Sequence, residues 1–374
     1  MDIKLRNLTK QFPSRDQKGG FVTAVDRFDI DIPDGKLVGL LGPSGCGKST
    51  VLNLISGLLP PTEGQILFGD EDVTGMPPER RGVGLVFQNY ALYPHLTVRK
   101  NILFPLQNLK GKDKLTKEQM AEKVAEAARL VQIEPYMDRK PAQLSGGQQQ
   151  RVAIARALVK VPRVLLLDEP LSNLDARLRL QTREEIRKVQ NKTGITTIFV
   201  THDQEEAMSI SDMIIVMKDG RICQFGPPQE VYDNPNSLFV AKFLGTPPIN
   251  TFRGAVRNGM LHLAEDAVLQ VPGIPDGEVF AGIRPEGFIP DENGPMRCAL
   301  RSVEVLGRDT SVVSSHPAAL TETIRSIISA KNRNGISMPE VRFSLDPEKV
   351  FLFRADTEER IRPAGAGEEG QTCG

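Results

Sequence analysis

Gly42-Pro43-Ser44-Gly45-Cys46-Gly47-Lys48-Ser49, followed by Thr50, is the stretch of sequence that decides the fold. It has the spacing G-x-x-x-x-G-K-S/T, follows the apolar run Leu37–Leu41, and leads into a helical pattern that begins at Lys48. The glycines allow the backbone to wrap a chain of phosphates, and the start of the helix adds a partial positive charge. Lys48 can reach the outer phosphates, and the hydroxyl of Ser49 can bind Mg²⁺. Alone, the motif predicts a nucleotide-phosphate site, which kinases and GTPases share; a chance glycine-rich turn is the weaker alternative.

Cys46 lies inside this loop. Lys48 and the start of the helix are both expected to lower the pKa of its thiol, which predicts a reactive cysteine that bound nucleotide would protect. The alternative is a packed, inert small residue.

A second motif narrows the chemistry. Val164–Leu167 reads as a buried strand, and it ends in Asp168 and Glu169. Strand ends are where a parallel sheet presents groups to a ligand. Asp168 suits the coordination shell of Mg²⁺, and Glu169 suits a general base that orients water for attack on a phosphate. Two solvated acids before Pro170 would be the ordinary interpretation without the phosphate loop beside them.

A third motif, Leu144-Ser145-Gly146-Gly147-Gln148, opens the helical pattern over Gln149–Lys160. A serine and two glycines at a helix start offer free N–H groups, a hydroxyl and a positive dipole end. The chain already has one phosphate loop, so a second one is explained if it covers the phosphate bound by another subunit. An ordinary helix cap is the alternative.

In this order, the three motifs resemble the ATPase subunits of ABC transporters, for which LSGGQ is the signature. Further segments agree with the family. Gln88 resembles the glutamine of the Q-loop, which senses Mg²⁺ and touches the transport channel. Ser172–Asp175 resembles the D-loop, which ends in Asp175, and His202 resembles the switch histidine that contacts the γ-phosphate. The resemblance therefore implies an ATPase with ATP and Mg²⁺ as its ligands.

Phe12 resembles the aromatic residue of the family that stacks on adenine. The loop over residues 13–20 is longer than is usual in the family, and Phe21 is the alternative stacking residue.

The arrangement of apolar runs predicts an α/β fold with a helical subdomain at about residues 89–160. Leu37–Leu41, Gly84–Phe87, Val164–Leu167 and Thr196–Val200 are nearly continuous apolar stretches, as in parallel strands that are buried on both faces. Within the helical segment, Glu118–Gln132 has apolar residues at helical spacing.

Short strands and turns follow from about Phe243 and predict a small all-β, barrel-like domain. Asp219-Gly220 and Asn258-Gly259 each predict a hairpin turn. The predicted domains are residues 1–243, an ATP-binding domain, and 244–362, a β domain. A tail over 363–374, rich in Gly and Glu, is expected to be disordered.

The β region resembles the OB-type regulatory domain of bacterial importers, at Gly282–Glu286, Val341–Asp346 and Val350–Phe353. The strand-level likeness is to the maltose, glycerol-3-phosphate and multiple-sugar importers. It implies that the chain powers the uptake of a carbohydrate. An importer of a polyamine, sulfate or iron stays open as an alternative, and a soluble ABC ATPase of DNA repair or translation is the less favoured one.

The composition limits the kinds of partner that are expected. Lysine plus arginine and aspartate plus glutamate both number 47, so the formal charge is zero and no nucleic-acid binding is expected. The four cysteines form no CxxC pair, and the sequence has no secretory signal and no run of about 18 apolar residues that would span a membrane. The resemblance implies a homodimer on the cytoplasmic face of the inner membrane. It also implies separate permease chains and, indirectly, an extracytoplasmic solute-binding protein.

Overall fold

The computed structural model describes residues 1–14, 19–329 and 339–363. The chain divides into two compact units, one over residues 1–228 and the other from residue 229 onward. The predicted disordered tail lies outside the described residues from position 364. Among the described residues, no helix is both long and apolar enough to cross a membrane.

The first unit contains ten strands and six α-helices in its described residues. They are β1 (Ile3–Pro13), β2 (Phe21–Ile32), β3 (Leu37–Leu41), α1 (Lys48–Ser56), β4 (Glu63–Phe68), β5 (Glu71–Asp72), β6 (Val83–Val86), α2 (Val98–Gln107), α3 (Lys117–Leu130), α4 (Gly146–Leu158), β7 (Val164–Asp168), α5 (Ala176–Thr193), β8 (Thr196–Val200), α6 (Gln204–Ile210), β9 (Met213–Lys218) and β10 (Arg221–Gly226).

Its central sheet has six strands in the order β10-β9-β3-β8-β7-β6. All the pairings from β9 to β6 are parallel, and β10 joins β9 as an antiparallel hairpin. Every residue of β3 and β8 is buried, which accounts for their continuous apolar sequences. The four predicted parallel strands are therefore confirmed. A second, antiparallel sheet has the order β2-β1-β4-β5.

The segment between β6 and β7 contains α2, α3 and α4 and no strand. The predicted helix over Glu118–Gln132 is α3, one residue earlier at its start and two residues shorter at its end. Thr116 sets the start, since its side chain accepts from the N–H of Gln119, whose side chain in turn accepts from the N–H of Thr116. Val124 and Ala127 form part of its buried face.

Both predicted hairpin turns are present. Asp219 and Gly220 have φ values of 48° and 81°, and Asn258 and Gly259 have values of 53° and 71°. Two successive residues with positive φ give the turn whose twist matches the flanking strands, so aspartate or asparagine followed by glycine is favoured at these positions.

The second unit begins with two short helices and continues with antiparallel strands. Its elements are α7 (Pro228–Asp233, which starts at the last residue of the first unit), α8 (Leu238–Phe243), β11 (Asn250–Arg257), β12 (Met260–Leu263), β13 (Asp266–Gln270), β14 (Gly277–Ile283), β15 (Phe288–Pro290), β16 (Met296–Leu306), β17 (Asp309–Ser315), β18 (Ile324–Ser329), β19 (Glu340–Leu345), β20 (Val350–Arg354) and β21 (Arg360–Ile361).

These strands form two sheets, in the orders β13-β12-β11-β14-β20-β21 and β15-β19-β16-β17-β18. Alternate residues of β19 are buried, and Phe252, Met296 and Phe343 belong to one apolar core that draws on both sheets. The expected small all-β domain of OB type is confirmed.

Arg284 ties α7 and α8 to the strands of the second unit. Its side chain is fully buried, and its guanidinium donates to the carbonyls of Tyr232, Ala241 and Leu244 while lying 3.8 Å from the centre of the Tyr232 ring. These carbonyls lie at the ends of the two helices, where helical partners are lacking. The two compact units divide at residue 228, so these helices are grouped with the β-strands, and the domain boundary at residue 243 stays a prediction.

We expect Arg284→Met to destabilise the second unit by about 2–4 kcal/mol, because three buried carbonyls would lose their donor. Thermal unfolding of the full-length protein measures the effect. Arg308→Met is the control, since the Arg308 side chain is 95% exposed. Equal unfolding temperatures for the two variants would contradict the capping role of Arg284.

Candidate nucleotide site

The phosphate loop joins the end of β3 to the start of α1. Gly47 has a φ of 104°, and a Cβ there would lie 2.3 Å from the carbonyl oxygen of Ala24. A Cβ on Gly42 would lie 2.5 Å from both the Met217 carbonyl oxygen and the Cys46 Sγ atom. These two positions accept only glycine, because the loop is packed against β2 and β9.

Lys48 is 6% exposed, and its Nζ atom donates to the carbonyls of Gly42 and Pro43, both at 2.8 Å. The ammonium group is therefore held by carbonyl oxygens of the same loop that would bind the phosphates. Ser44, Gly45 and Thr50 lie with Lys48 on the wall of an open cleft of about 700 Å³.

Ser49, which lines the cleft, is hydrogen-bonded to Asp168. The Ser49 Oγ atom donates to the Asp168 Oδ1 atom at 3.2 Å. Burial raises the pKa of the Asp168 carboxyl above its usual value, the hydrogen bond from Ser49 opposes the shift, and the neighbouring Glu169 adds to it. A buried carboxylate is costly to leave charged without a partner. Together, the Asp168 carboxylate and the Ser49 hydroxyl are a pair of hard oxygen ligands that fits a divalent cation.

Glu169 follows β7 with a φ of 43°, which is rare for a residue other than glycine, and its N–H donates to the Val200 carbonyl at 3.1 Å. Its two carboxylate oxygens have different neighbours. Gln88 Nε2 donates to Oε2 at 2.9 Å, and His202 Nδ1 lies 3.5 Å from Oε1. Glu169 and His202 both line the cleft, so three residues that are far apart in sequence meet beside the phosphate loop.

The Gln88 side chain is held from the segment after Glu169. Its Nε2 atom lies 3.3 Å from the Ser172 Oγ atom, and Asn173 Nδ2 donates to the Gln88 carbonyl at 2.9 Å. The sequence argument missed Ser172 and Asn173 as contacts of Gln88, since nothing in the spacing indicates that the two segments touch.

Ser145 caps α4. Its Oγ atom accepts from the Gln148 N–H at 3.4 Å, and the Gln148 side chain accepts from the Ser145 N–H at 3.0 Å. The described residues that line the cleft of Lys48 do not include Ser145, Gly146, Gly147 or Gln148.

The two signature glycines pack against the segment around Asp175. A Cβ on Gly146 would lie 2.9 Å from the Leu174 side chain, and one on Gly147 would lie 3.0 Å from that of Leu178. Asp175 itself caps α5, because its side chain accepts from the Leu178 N–H at 3.0 Å. The packing need for glycine in this motif was not visible in the sequence.

Phe12 and Phe21 lie near one another in the hairpin of β1 and β2, with Phe12 opposite Val22. The Lys10 Nζ atom lies 5.3 Å from the centre of the Phe12 ring, and Phe21 is 66% exposed. Ala24, on β2, lines the cleft, whereas neither ring does. Adenine stacking by Phe12 or Phe21 stays a prediction.

The predicted lowering of the Cys46 pKa is wrong. Cys46 is 5% exposed, and burial raises the pKa of its thiol, while the charge of Lys48 opposes this shift without overcoming it. Desolvation outweighs the nearby cation because the thiol faces the core.

This fold and site define a P-loop nucleoside triphosphatase. Besides the phosphate loop before α1, its helical segment contains a second glycine-rich helix start, that of α4. Residues 25–172 match the profile of the family described as ABC transporter. Over 359 residues, the chain is 44% identical to the sn-glycerol-3-phosphate import ATP-binding protein UgpC of Ruegeria pomeroyi, covering 96% of this chain and 99% of that protein. It is also 44% identical to the Fe(3+) ions import ATP-binding protein FbpC of Fusobacterium nucleatum, covering 96% and 95%.

A third relative is the diacetylchitobiose uptake system ATP-binding protein MsiK of Streptomyces coelicolor, 47% identical over 72% of each chain. Among solved structures, the chain resembles the dimeric post-hydrolysis state of the ATP-binding cassette MJ0796 bound to ADP and Pi. That match has a TM-score of 0.53 and 33% identity, and it covers 60% of this chain and 98% of the other. The chain belongs to the ABC transporter family, and it is an ATPase of that family.

We expect Cys46 to react with iodoacetamide at pH 8 at least about 10 times more slowly than it does in the urea-unfolded chain, since a raised pKa leaves less thiolate and burial blocks access. Mass spectrometry of the peptide that contains Cys46 gives both rates. Cys223, partly exposed, provides an internal comparison. Faster labelling of Cys46 in the folded protein would contradict the raised pKa.

Proposed function

We propose that the chain is the ATP-binding and hydrolysing subunit that powers a binding-protein-dependent importer, with a carbohydrate or a related polyol phosphate as its solute. The observation that carries the proposal is the meeting of the phosphate loop, the acidic end of β7 and His202 at one edge of the parallel sheet. The names of the relatives UgpC and MsiK support the solute class.

The phosphate loop would hold the triphosphate of ATP through its N–H groups and Lys48. Mg²⁺, when bound, would neutralise charge on the β- and γ-phosphates. Ser49 and Asp168 are the oxygen ligands that fit the ion. The Gln88 amide, which donates to Glu169, would complete the surroundings of the ion.

Glu169 would take a proton from the attacking water. Its carboxylate lies at the cleft wall, with Gln88 and His202 on its two oxygens. The amide of Gln88 would orient the carboxylate, and His202 would contact the γ-phosphate. Positioning of water and phosphate is the main contribution that a protein makes to this reaction.

A second copy of the chain would complete the site. Ser145, Gly146, Gly147 and Gln148 lie away from the cleft of their own chain, which is expected if they serve the nucleotide of a partner, and Asp175 would lie at the same contact. The dimeric state of the cassette MJ0796 supports a homodimer.

Permease chains in the membrane would receive the motion of this dimer near Gln88, and an extracytoplasmic binding protein would deliver the solute to them. The chain would then lie on the cytoplasmic face of the membrane. The role assigned to the second unit is regulatory, and the ATP-binding domain, with its helical subdomain at about 89–160, would end near 243. Nothing in the zero formal charge favours nucleic acid as a partner.

Uptake by cells that lack the gene tests the solute. We expect loss of uptake of a radiolabelled carbohydrate or of glycerol 3-phosphate, restored by the wild-type chain and not by a chain carrying Glu169→Gln. Fe³⁺ uptake is the second measurement, since the iron-importer relative FbpC is 44% identical. Loss of Fe³⁺ uptake alone would favour an iron importer and contradict the carbohydrate.

We expect Glu169→Gln to lower the ATPase rate by at least about 100-fold, because the amide keeps the shape but cannot accept the proton of water. Affinity for ATP should change by no more than a factor of about three, since Lys48 and Ser49 are untouched. The variant should also accumulate as an ATP-bound dimer, which sedimentation detects. Glu184→Gln, an exposed carboxylate on α5, is the matched control. Turnover close to that of the control would rule out Glu169 as the base.

A further inference from the structure

Three arginines follow one face of α5 at intervals of four residues, and the first of them reaches the loop that contains His202. All three nitrogen atoms of the Arg179 guanidinium make polar contacts. Nη2 donates to the Leu174 carbonyl at 3.2 Å, Nη1 donates to the Asp203 carboxylate at 3.4 Å, and Nε lies 3.6 Å from the Glu206 carboxylate. Arg183 adds a weaker contact, 3.8 Å from Asp203. Arg179 thus connects the segment before α5 with the segment before α6.

The two carboxylates in turn fix the chain on both sides of His202. Asp203 caps α6 by accepting from the N–H groups of Glu205 and Glu206, at 2.8 and 3.2 Å. The Glu206 side chain, 3% exposed, accepts from the hydroxyl of Thr201 at 2.6 Å, and that hydroxyl accepts from the Asp203 N–H. The residues before and after His202 therefore belong to one hydrogen-bonded network.

His202 itself has little that holds it in place. Its side chain is 61% exposed, and within the described part of the chain its Nδ1 atom lies 3.5 Å from the Glu169 Oε1 atom. The location of the imidazole therefore depends on the backbone between Thr201 and Asp203. The buried Glu206 carboxylate would be costly to leave charged without partners, so its contacts with Thr201 and Arg179 restrict the position of this segment.

We propose that Arg179 is a positioning residue for His202, acting through Asp203 and Glu206, and that it couples His202 to the segment that carries Asp175. The Leu174 side chain is the one that packs on Gly146, and Asn173 holds Gln88. A shift of this segment when a second copy binds would reach His202 through one guanidinium. The inference rests on the proposed contact of His202 with the γ-phosphate.

The test compares Arg179→Met with Arg187→Met in the full-length protein. Arg187 lies two turns further along the same helix and makes a closer ion pair, at 2.6 Å, with Asp212, which is not part of the His202 loop. We expect Arg179→Met to lower kcat about 10- to 100-fold, the scale for a reacting group misplaced by about 1 Å, with the KM for ATP unchanged. Arg187→Met should leave kcat near the wild-type value.

Two further variants separate positioning from stability. In a His202→Ala background, Arg179→Met should lower kcat no further, whereas a loss of folded protein would add to the effect. Glu206→Gln keeps the size of the side chain and its bond to Thr201, so it tests the same link should Arg179→Met fold poorly. It should also lower kcat without changing KM.

The NMR signal of the His202 imidazole provides a test that does not depend on measuring turnover. The chain has four histidines, so the NMR signal of His202 can be assigned from its absence in His202→Ala. We expect Arg179→Met to shift or broaden this signal and Arg187→Met to leave it unchanged. A normal kcat and an unshifted signal in Arg179→Met, with His202→Ala slow, would overturn the coupling alone. Wild-type turnover in His202→Ala would overturn both the proposed role of His202 and this inference.

Discussion

Main-chain hydrogen bonds of the central sheet continue one residue beyond the strand ends, and the site depends on them. The Glu169 N–H donates to the Val200 carbonyl, and the Thr201 N–H donates to the Leu40 carbonyl. β3, β7 and β8 therefore end side by side, with the phosphate loop, the two acids and His202 following them directly. Because the strands are parallel and buried, their register cannot slip without exposing apolar residues. The three motifs therefore stay at the same edge of the sheet.

Glycine has two separate tasks in this site. At Gly47 it permits a left-handed backbone and a close approach to Ala24, and both are needed for α1 to start under the phosphates. At Gly146 and Gly147 the backbone is helical, so the constraint is space, because Leu174 and Leu178 occupy the place of a side chain. Glu169 shows the converse: a non-glycine residue with a φ of 43° is strained by about 1 kcal/mol or more, which the sheet hydrogen bond at its N–H offsets.

Much of this was predictable from the sequence because it is local. Four apolar runs became parallel strands, two dipeptides with positive φ became hairpin turns, and the loop before Lys48 led into a helix. What could not be predicted depends on distant neighbours. The hydrogen bonds from Gln88 to Ser172 and from Arg179 to Asp203 join segments whose spacing in the sequence carries no signal. The thiol of Cys46 was misjudged because its burial, which outweighs the charge of Lys48, is a property of the packed core. The grouping of α7 and α8 with the β-strands likewise depends on Arg284, which lies far from both helices in sequence and donates to their carbonyls.

The two interpretations of Ser145, helix cap and phosphate ligand, are compatible. A hydroxyl has one donor and two acceptor sites, and the bond to the Gln148 N–H uses a single acceptor site. Its proton remains available for a phosphate oxygen. At 3.4 Å the capping bond is long, whereas the reciprocal bond from Ser145 N–H to the Gln148 side chain is 3.0 Å. The helix start is therefore kept in place mainly by the glutamine, and the serine oxygen can turn toward an anion while the helix stays formed. In the proposed dimer, the capped helix would thus be formed before a second copy of the chain brings a phosphate to it.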